Sequence, residues 1–282
     1  MLNMSNKITD IDIRGKQSLE LFKSWLAKHR FLKYTGTDSI DDLLMFYLRV
    51  KKFSMQKTFE SFEFTIPFIH SHPDWFLNPG PADYEFTDKA NSPLIFLKNL
   101  DSEKRRIYIY KMKNFENFDN IEFLRRYFLT PLLCMFDMDV QLNGVVVVVD
   151  FSDVNLGKVR KIPIQQIYDA MKLSKYGLVR LQQLNIIGFP SFLKPIFEFA
   201  KIFTSAKILG RMNFINDVTE LTKHMDVSVL PKEYGGSSVE FQDYEAFKFG
   251  IAYMNKIHKF DVNFSKIQEY ENVGSFRKLE ID

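Results

Sequence analysis

A single cysteine, Cys134, stands among 282 residues, so no disulfide can form within the chain. It lies in the apolar run Pro131–Phe136, where a thiol serves as a small buried hydrophobe and a reducing compartment suits it. Charge of one sign is also lacking: the formal net charge is +3 and the isoelectric point about 8.7, far from the concentrated positive charge of a dedicated nucleic-acid binder. No apolar run approaches the roughly 20 residues that span a bilayer; Val145–Val149 is five residues long. The opening Met1–Lys7 has no apolar core of a signal peptide, and a cytoplasmic protein is expected. Nucleotide-binding glycine loops, Gly-x-Ser-x-Gly elbows and His-Glu-x-x-His pairs are all missing. His70 and His72, two residues apart on a helix, diverge by about 200° and cannot share an ion. The sequence therefore points to no catalytic residue, no metal and no cofactor.

Phenylalanine, by contrast, is abundant, with 29 copies that supply stiff apolar walls for a core or for a cavity. The N-terminal quarter is helical. Leu19, Leu21, Phe22, Trp25 and Leu26 recur at helical spacing, Ser39 caps a second helix with Asp41 and Asp42 in its first turn, and Ser54 caps a third carrying Phe59, Phe62, Ile66 and Ile69. Pro73, Pro79, Gly80 and Pro81 mark a linker. Strands and helices then alternate. Ile107–Tyr110, Val145–Val149 and Leu184–Ile187 read as strands, and 119–142 and 163–173 as helices. Five consecutive valines without polar alternation indicate a strand covered on both faces, so the class is α/β with a mostly parallel or mixed sheet.

Near the C-terminus an apolar, β-type run, Val227–Leu230, meets Pro231-Lys232-Glu233-Tyr234-Gly235-Gly236. Proline cannot continue a ladder, the glycines supply unusual backbone angles, and Tyr234 offers an apolar body with a polar tip. In this form and place the run resembles the closing motif of the CRAL-TRIO lipid-binding family. Asp42–Thr58 with its Lys51-Lys52-Phe53 turn, His72–Phe76, Gly144–Asp150 and Arg180–Pro190 are similar to other signatures of that family, in the same order. Asp153, Gly188 and Asn213 depart from the pattern, standing where the family usually has glycine, asparagine and histidine. The resemblance implies three parts: a three-helix unit over 15–75, a lipid-binding domain over 90–260, and a tail over 261–282. In the implied fold, helices flank a mixed, mostly parallel sheet and a mobile lid helix closes a cavity.

Ser191–Ser205 matches the lid. Phe192, Leu193, Ile196, Phe197, Phe199, Ala200, Ile202 and Phe203 cover an arc of roughly 220° at about 100° per residue, wider than one packed face requires. Such a helix is either a deeply buried crossover or a gate that meets a ligand on one side and lipid on its flank; the resemblance implies the gate, hinged at Gly188 and Pro190. It further implies a lining of Val145, Val147, Val149, Val154, Leu156, Leu184, Ile186, Phe192, Ile196, Phe199, Ala200 and Phe203. Arg180, Lys207 and Arg211 match positions that hold phosphoinositides in the tocopherol- and retinaldehyde-binding branch, with Gln182 in place of a further cation; a solvated basic strip is the plainer alternative. The implied function is that of a monomeric carrier. It shields one small tocopherol-, retinoid- or isoprenoid-like lipid and exchanges it during transient contact with phosphoinositide-bearing membranes. A lipid-gated adaptor and a phosphatidylinositol transfer protein are the alternatives.

Overall fold

The computed structural model describes residues 12–76, 94–97, 99–117, 137–154, 157, 163–176, 178–237 and 246–268. Two compact units emerge: Met1–Pro73 with Ala252–Asp282, and Asp74–Ile251.

The first unit is built on aromatic packing. Helices α1 (Asp12–Ala27), α2 (Asp41–Val50) and α3 (Met55–Ser71) turn their apolar stripes toward one another. Phe22 and Phe62 are fully buried with ring centres 5.1 Å apart, and Trp25 stacks on Phe59 at 4.3 Å. Tyr47 keeps its hydroxyl satisfied inside this core by donating to Thr65 Oγ1 at 2.6 Å. The α2 cap falls one residue later than the sequence suggests. Ile40 occupies it, and Ser39 Oγ accepts from Asp41 N at 3.2 Å. Lys52 and Phe53 take left-handed backbone angles, φ 54 and 58, in the turn before α3, and one short helical turn, α4 (Pro73–Phe76), follows α3. Strands β1 (Leu32–Tyr34) and β7 (Phe260–Val262) pair antiparallel, so the residues from 261 onward begin within this unit as part of a strand.

The second unit is a five-stranded sheet in the order β2 (Leu94–Phe96), β3 (Arg106–Lys111), β4 (Val145–Asp150), β5 (Leu181–Ile187) and β6 (Met212–Ile215). Only β2 runs antiparallel, to β3; the other pairs are parallel. The mixed, mostly parallel sheet expected from the valine run is thus present. Of the expected helix over 119–142, α5 (Met138–Asn143) lies within the described residues and the rest outside them. Helix α6 (Ile164–Tyr176) connects β4 to β5. Helices α7 (Lys194–Phe203) and α8 (Ala206–Leu209) connect β5 to β6. Two crossovers of the same hand, stepping in the same direction, place their helices on the same face of the sheet, and α6 lies beside α7.

Candidate functional site

The period-2 geometry of the strands sorts the sheet residues onto two faces. On one lie Ile95, Leu97, Ile107, Ile109, Val146, Val148, Ile187 and Ile215, fused into a single buried core with Leu221, Met225, Val229, Leu230 and Tyr234. The closing segment is therefore a plug on this face. Tyr234, 1% exposed, donates its hydroxyl to Asp150 Oδ2 at 2.9 Å, and Lys111 reaches Glu233 at 2.6 Å. Burial first, and then the Asp150 charge, raise the Tyr234 phenol well above its ordinary range. Gly235 takes φ 77, and a Cβ on Gly236 would collide with the Leu230 carbonyl, which accounts for the glycine pair. Val227–Leu230 forms a turn, not the strand its composition suggests, because Asp226 accepts from Ser228 N at 2.8 Å and bends the chain, leaving Val227 exposed.

One polar row interrupts this face. Asn213 Nδ2 and Gln183 Nε2 both donate to Asn185 Oδ1, at 2.9 and 3.0 Å. Asn185 is fully buried and its own Nδ2 finds no partner among the described residues. The asparagine at 213, one of the departures from the family pattern, is thus a cross-strand hydrogen-bond donor.

The opposite face carries Val145, Val147 and Val149 in register with Leu184 and Ile186, which pair in turn with Met212 and Phe214. Its cover is uneven. Val145, Val149 and Ile186 are buried, but Val147, Leu184 and Met212 are only partly covered and Phe214 is 48% exposed. Helix α7 sits over this side: Phe197 meets Phe214 at 5.1 Å, and Phe189 meets both at 5.7 and 5.4 Å. Phe151 joins through Phe189 at 5.9 Å. This aromatic cluster was not among the residues the sequence singles out, although Phe197 lies within the apolar arc of α7. The chain leaves much of α7 uncovered, with Phe199 46% and Ile202 75% exposed and Ile196 half-buried; Phe192, in the turn before α7, is half-buried too. The deeply buried crossover is therefore excluded.

Other expected lining residues fall elsewhere. Val154, half-buried, follows the turn after β4; Leu156 and the side chains of Ala200 and Phe203 lie outside the described residues. In that turn Asp153 adopts φ 58, the angle for which the family pattern's glycine is suited and which aspartate tolerates. Gly188, directly after β5, has φ 61.

Arg180 and Arg211 come together at the amino end of the sheet, just before β5 and β6. Burial, then the Arg211 charge, hold the Arg180 guanidinium below its usual range. Each donates Nη1 to a main-chain carbonyl, Arg180 to Leu142 and Arg211 to Leu181. Among the described residues no carboxylate pairs with either, nor with exposed Lys207 on α8. These cations stand at the C-terminal end of α7, at the opposite end of β5 from Gly188. Gln182 is occupied with the Asn143 carbonyl at 2.9 Å. No group of three or more His, Cys, Asp or Glu side chains among the described residues is arranged to hold a metal, and no described helix is long and apolar enough to cross a membrane.

Comparison with known proteins places this architecture. The chain is 26% identical over 213 residues to an alpha-tocopherol transfer protein-like protein of Mus musculus, covering 73% of this chain and 61% of that one. It is 22% identical over 240 residues to clavesin-1 of Xenopus laevis, 78% of this chain and 68% of the relative. The crystal structure of Sfh5 superposes with a TM-score of 0.49 at 12% identity, covering 84% of this chain and 95% of Sfh5. The chain thus spans about 60% of the length of its tocopherol-transfer-like relatives. Residues 90–236, from the linker through the second glycine of the closing segment, match the CRAL/TRIO domain model. That match covers more than half of the sequence, and the chain belongs to the CRAL/TRIO domain family.

Proposed function

We propose that this protein binds one hydrophobic lipid between the valine face of the sheet and helix α7, and transfers it between membranes. The observation that carries this reading is the asymmetry of the sheet. One face is sealed by a hydrogen-bonded plug, while the other leaves Val147, Leu184 and Phe214 incompletely covered beneath a helix with apolar surface to spare. Apolar surface withheld from water contributes about 25 cal/mol per Å2, so a lipid seated there supplies the burial that the chain's own side chains do not. The lining would be Val145, Val147, Val149, Leu184, Ile186, Phe192 and Ile196, with Phe199, Val154, Leu156, Ala200 and Phe203 completing it and the Phe189–Phe197–Phe214 cluster closing the hinge end. The names of the tocopherol-transfer-like relatives favour a compact isoprenoid or tocopherol-like ligand.

Arg180, Lys207 and Arg211 would receive the phosphates of a phosphoinositide at the membrane surface. Their support is the close approach of Arg180 and Arg211 without a carboxylate between them. Head-group binding at the far end of α7 and ligand retention beneath it are then coupled, and the coupling must be reciprocal. Mass spectrometry of organic extracts from the purified protein, followed by transfer of the labelled lipid between vesicles, tests the reading. A discrete co-purifying lipid and transfer faster on phosphoinositide-bearing acceptors are expected. Extracts without any lipid, together with no transfer of tocopherol, retinoid or phosphatidylinositol, would refute it.

A further inference from the structure

The first unit holds a concavity of its own, unrelated to the sheet. About 540 Å3 in volume, it lies among the end of α1, strand β1, the start of α2 and the residues around and after β7. Its floor is apolar: Leu26, Leu32 and Leu44 are buried there. Its rim is cationic. Arg30 and Lys33 come from the stretch leading into and along β1 and Lys266 from the residues after β7; all three are exposed and have no carboxylate partner among the described residues. Lys23 also borders it, already held by Asp41 at 2.9 Å and Glu20 at 3.2 Å. Asp261, across the strand pair from Lys33, is the one carboxylate in the lining.

His29 Nδ1 accepts from Leu32 N at 3.1 Å, and its Nε2 lies 2.9 Å from Glu63. That arrangement fixes the loop that presents Arg30. Three cations against the single carboxylate of Asp261, around one hollow with a low-dielectric floor, leave a net positive potential inside it. A surface that merely solvates lysines gains nothing from such convergence. We propose that this cleft binds a compact polyanion, a phosphate-bearing head group or its soluble equivalent, with the Arg30 guanidinium forking onto one phosphate and Lys33 and Lys266 meeting others. The site is separate from Arg180, Lys207 and Arg211, and does not require that the sheet hold a lipid.

The test uses the full chain and inositol trisphosphate, which has no hydrophobic part, so failure here leaves the carrier reading untouched. Titration at low salt should shift the backbone amide resonances of Arg30, Lys33 and Lys266, and added salt should weaken the effect. The triple variant Arg30→Ser, Lys33→Ser, Lys266→Ser changes only exposed side chains and should keep the wild-type melting temperature, yet lose affinity at these positions by about tenfold or more. Sedimentation with vesicles separates the sources. Reduced binding of the variant to vesicles bearing phosphatidylinositol bisphosphate assigns a lipid head group; unchanged vesicle binding with lost trisphosphate binding assigns a soluble anion. Absent amide shifts, or a variant that binds as wild type does, would overturn the proposal. So would a polyglutamate peptide that competes as well as the trisphosphate, since the cleft would then be a docking surface for acidic protein segments.

Discussion

The two faces of the five-stranded sheet are made from the same strands, even from alternate residues of one valine run, yet they have been finished differently. Val146 and Val148 lie under Leu221, Leu230 and Tyr234, all 0–1% exposed. Val147, between them in sequence, is only partly covered. Hydrophobicity is therefore not what distinguishes the faces. The closed face is fixed by a plug whose geometry is specified at several points: a proline, a left-handed glycine, a glycine without room for a side chain, and a tyrosine bonded to the strand it covers. The other face is covered by a crossover helix joined through a glycine at φ 61, whose own apolar residues remain in part uncovered. Stability is concentrated in the first face, and the ligand proposed above belongs to the second.

If that contrast is right, the largest stability losses belong to the plug. Leu230→Ala removes a fully buried side chain from the closed core and should cost roughly 2–5 kcal/mol. Chemical denaturation would read this as a lower midpoint at unchanged slope. A loss below about 1 kcal/mol would mean the face is looser than its burial implies. Tyr234→Phe keeps the ring and deletes the bond to Asp150, a hydrogen bond to a charged group, for an expected loss of about 1.5–3 kcal/mol. It also carries a pH signature. The folded phenol ionises above its unfolded value of about 10, so the tyrosine's contribution is complete below pH 10 and declines as pH rises past it. The stability difference between wild type and variant should accordingly shrink on the alkaline side. Tyr47, which burial also raises, is present in both proteins and drops out of the difference.

The open face should answer differently. Ile202→Ser and Phe199→Ser together alter side chains that are 75% and 46% exposed, and each should change stability by no more than about 0.5 kcal/mol. Partition to vesicles and the rate of lipid transfer should fall by about tenfold, as expected when apolar contacts worth a kilocalorie or two are lost from the membrane-bound state. A variant that unfolds as readily as Leu230→Ala would show the two faces to be energetically alike.

Much of this was legible in the sequence because it is local. The valine run, the glycine pair and the apolar excess of α7 are each contained in a few consecutive residues, and their physical meaning does not depend on the rest of the chain. Choosing Val145, Val147 and Val149 over their neighbours followed family likeness, and the face they share is the one under α7. What could not be read was assembled from distant segments. Phe151, Phe189, Phe197 and Phe214 meet only because β4, β5, α7 and β6 end near one another, and no spacing marks them among 29 phenylalanines. Val227–Leu230 misled through composition: β-branched residues suggest a strand, but the Asp226 side chain dictates a turn. Strand β7 was obscure because a three-residue strand carries almost no period.

The smallest expected effect concerns the polar row in the otherwise apolar closed face. Asn185 Oδ1 accepts from Asn213 and Gln183 while its Nδ2, fully enclosed, donates to nothing among the described residues. A buried donor without a partner is costly, and an acceptor serving two donors offsets that cost. Asn185→Val alone removes the idle donor but strands the amide of Asn213, and should destabilise by about 1 kcal/mol. Adding Asn213→Val deletes the stranded partner as well, and the double variant should return to within about 0.5 kcal/mol of wild type, since replacing both partners by apolar groups of similar shape is nearly neutral. A double-mutant cycle measures this coupling directly. Strictly additive losses would mean that Asn213 does not depend on Asn185. The closed face would then owe its rigidity to packing against the plug alone, with no contribution from the amide row to how β6 is held beside β5.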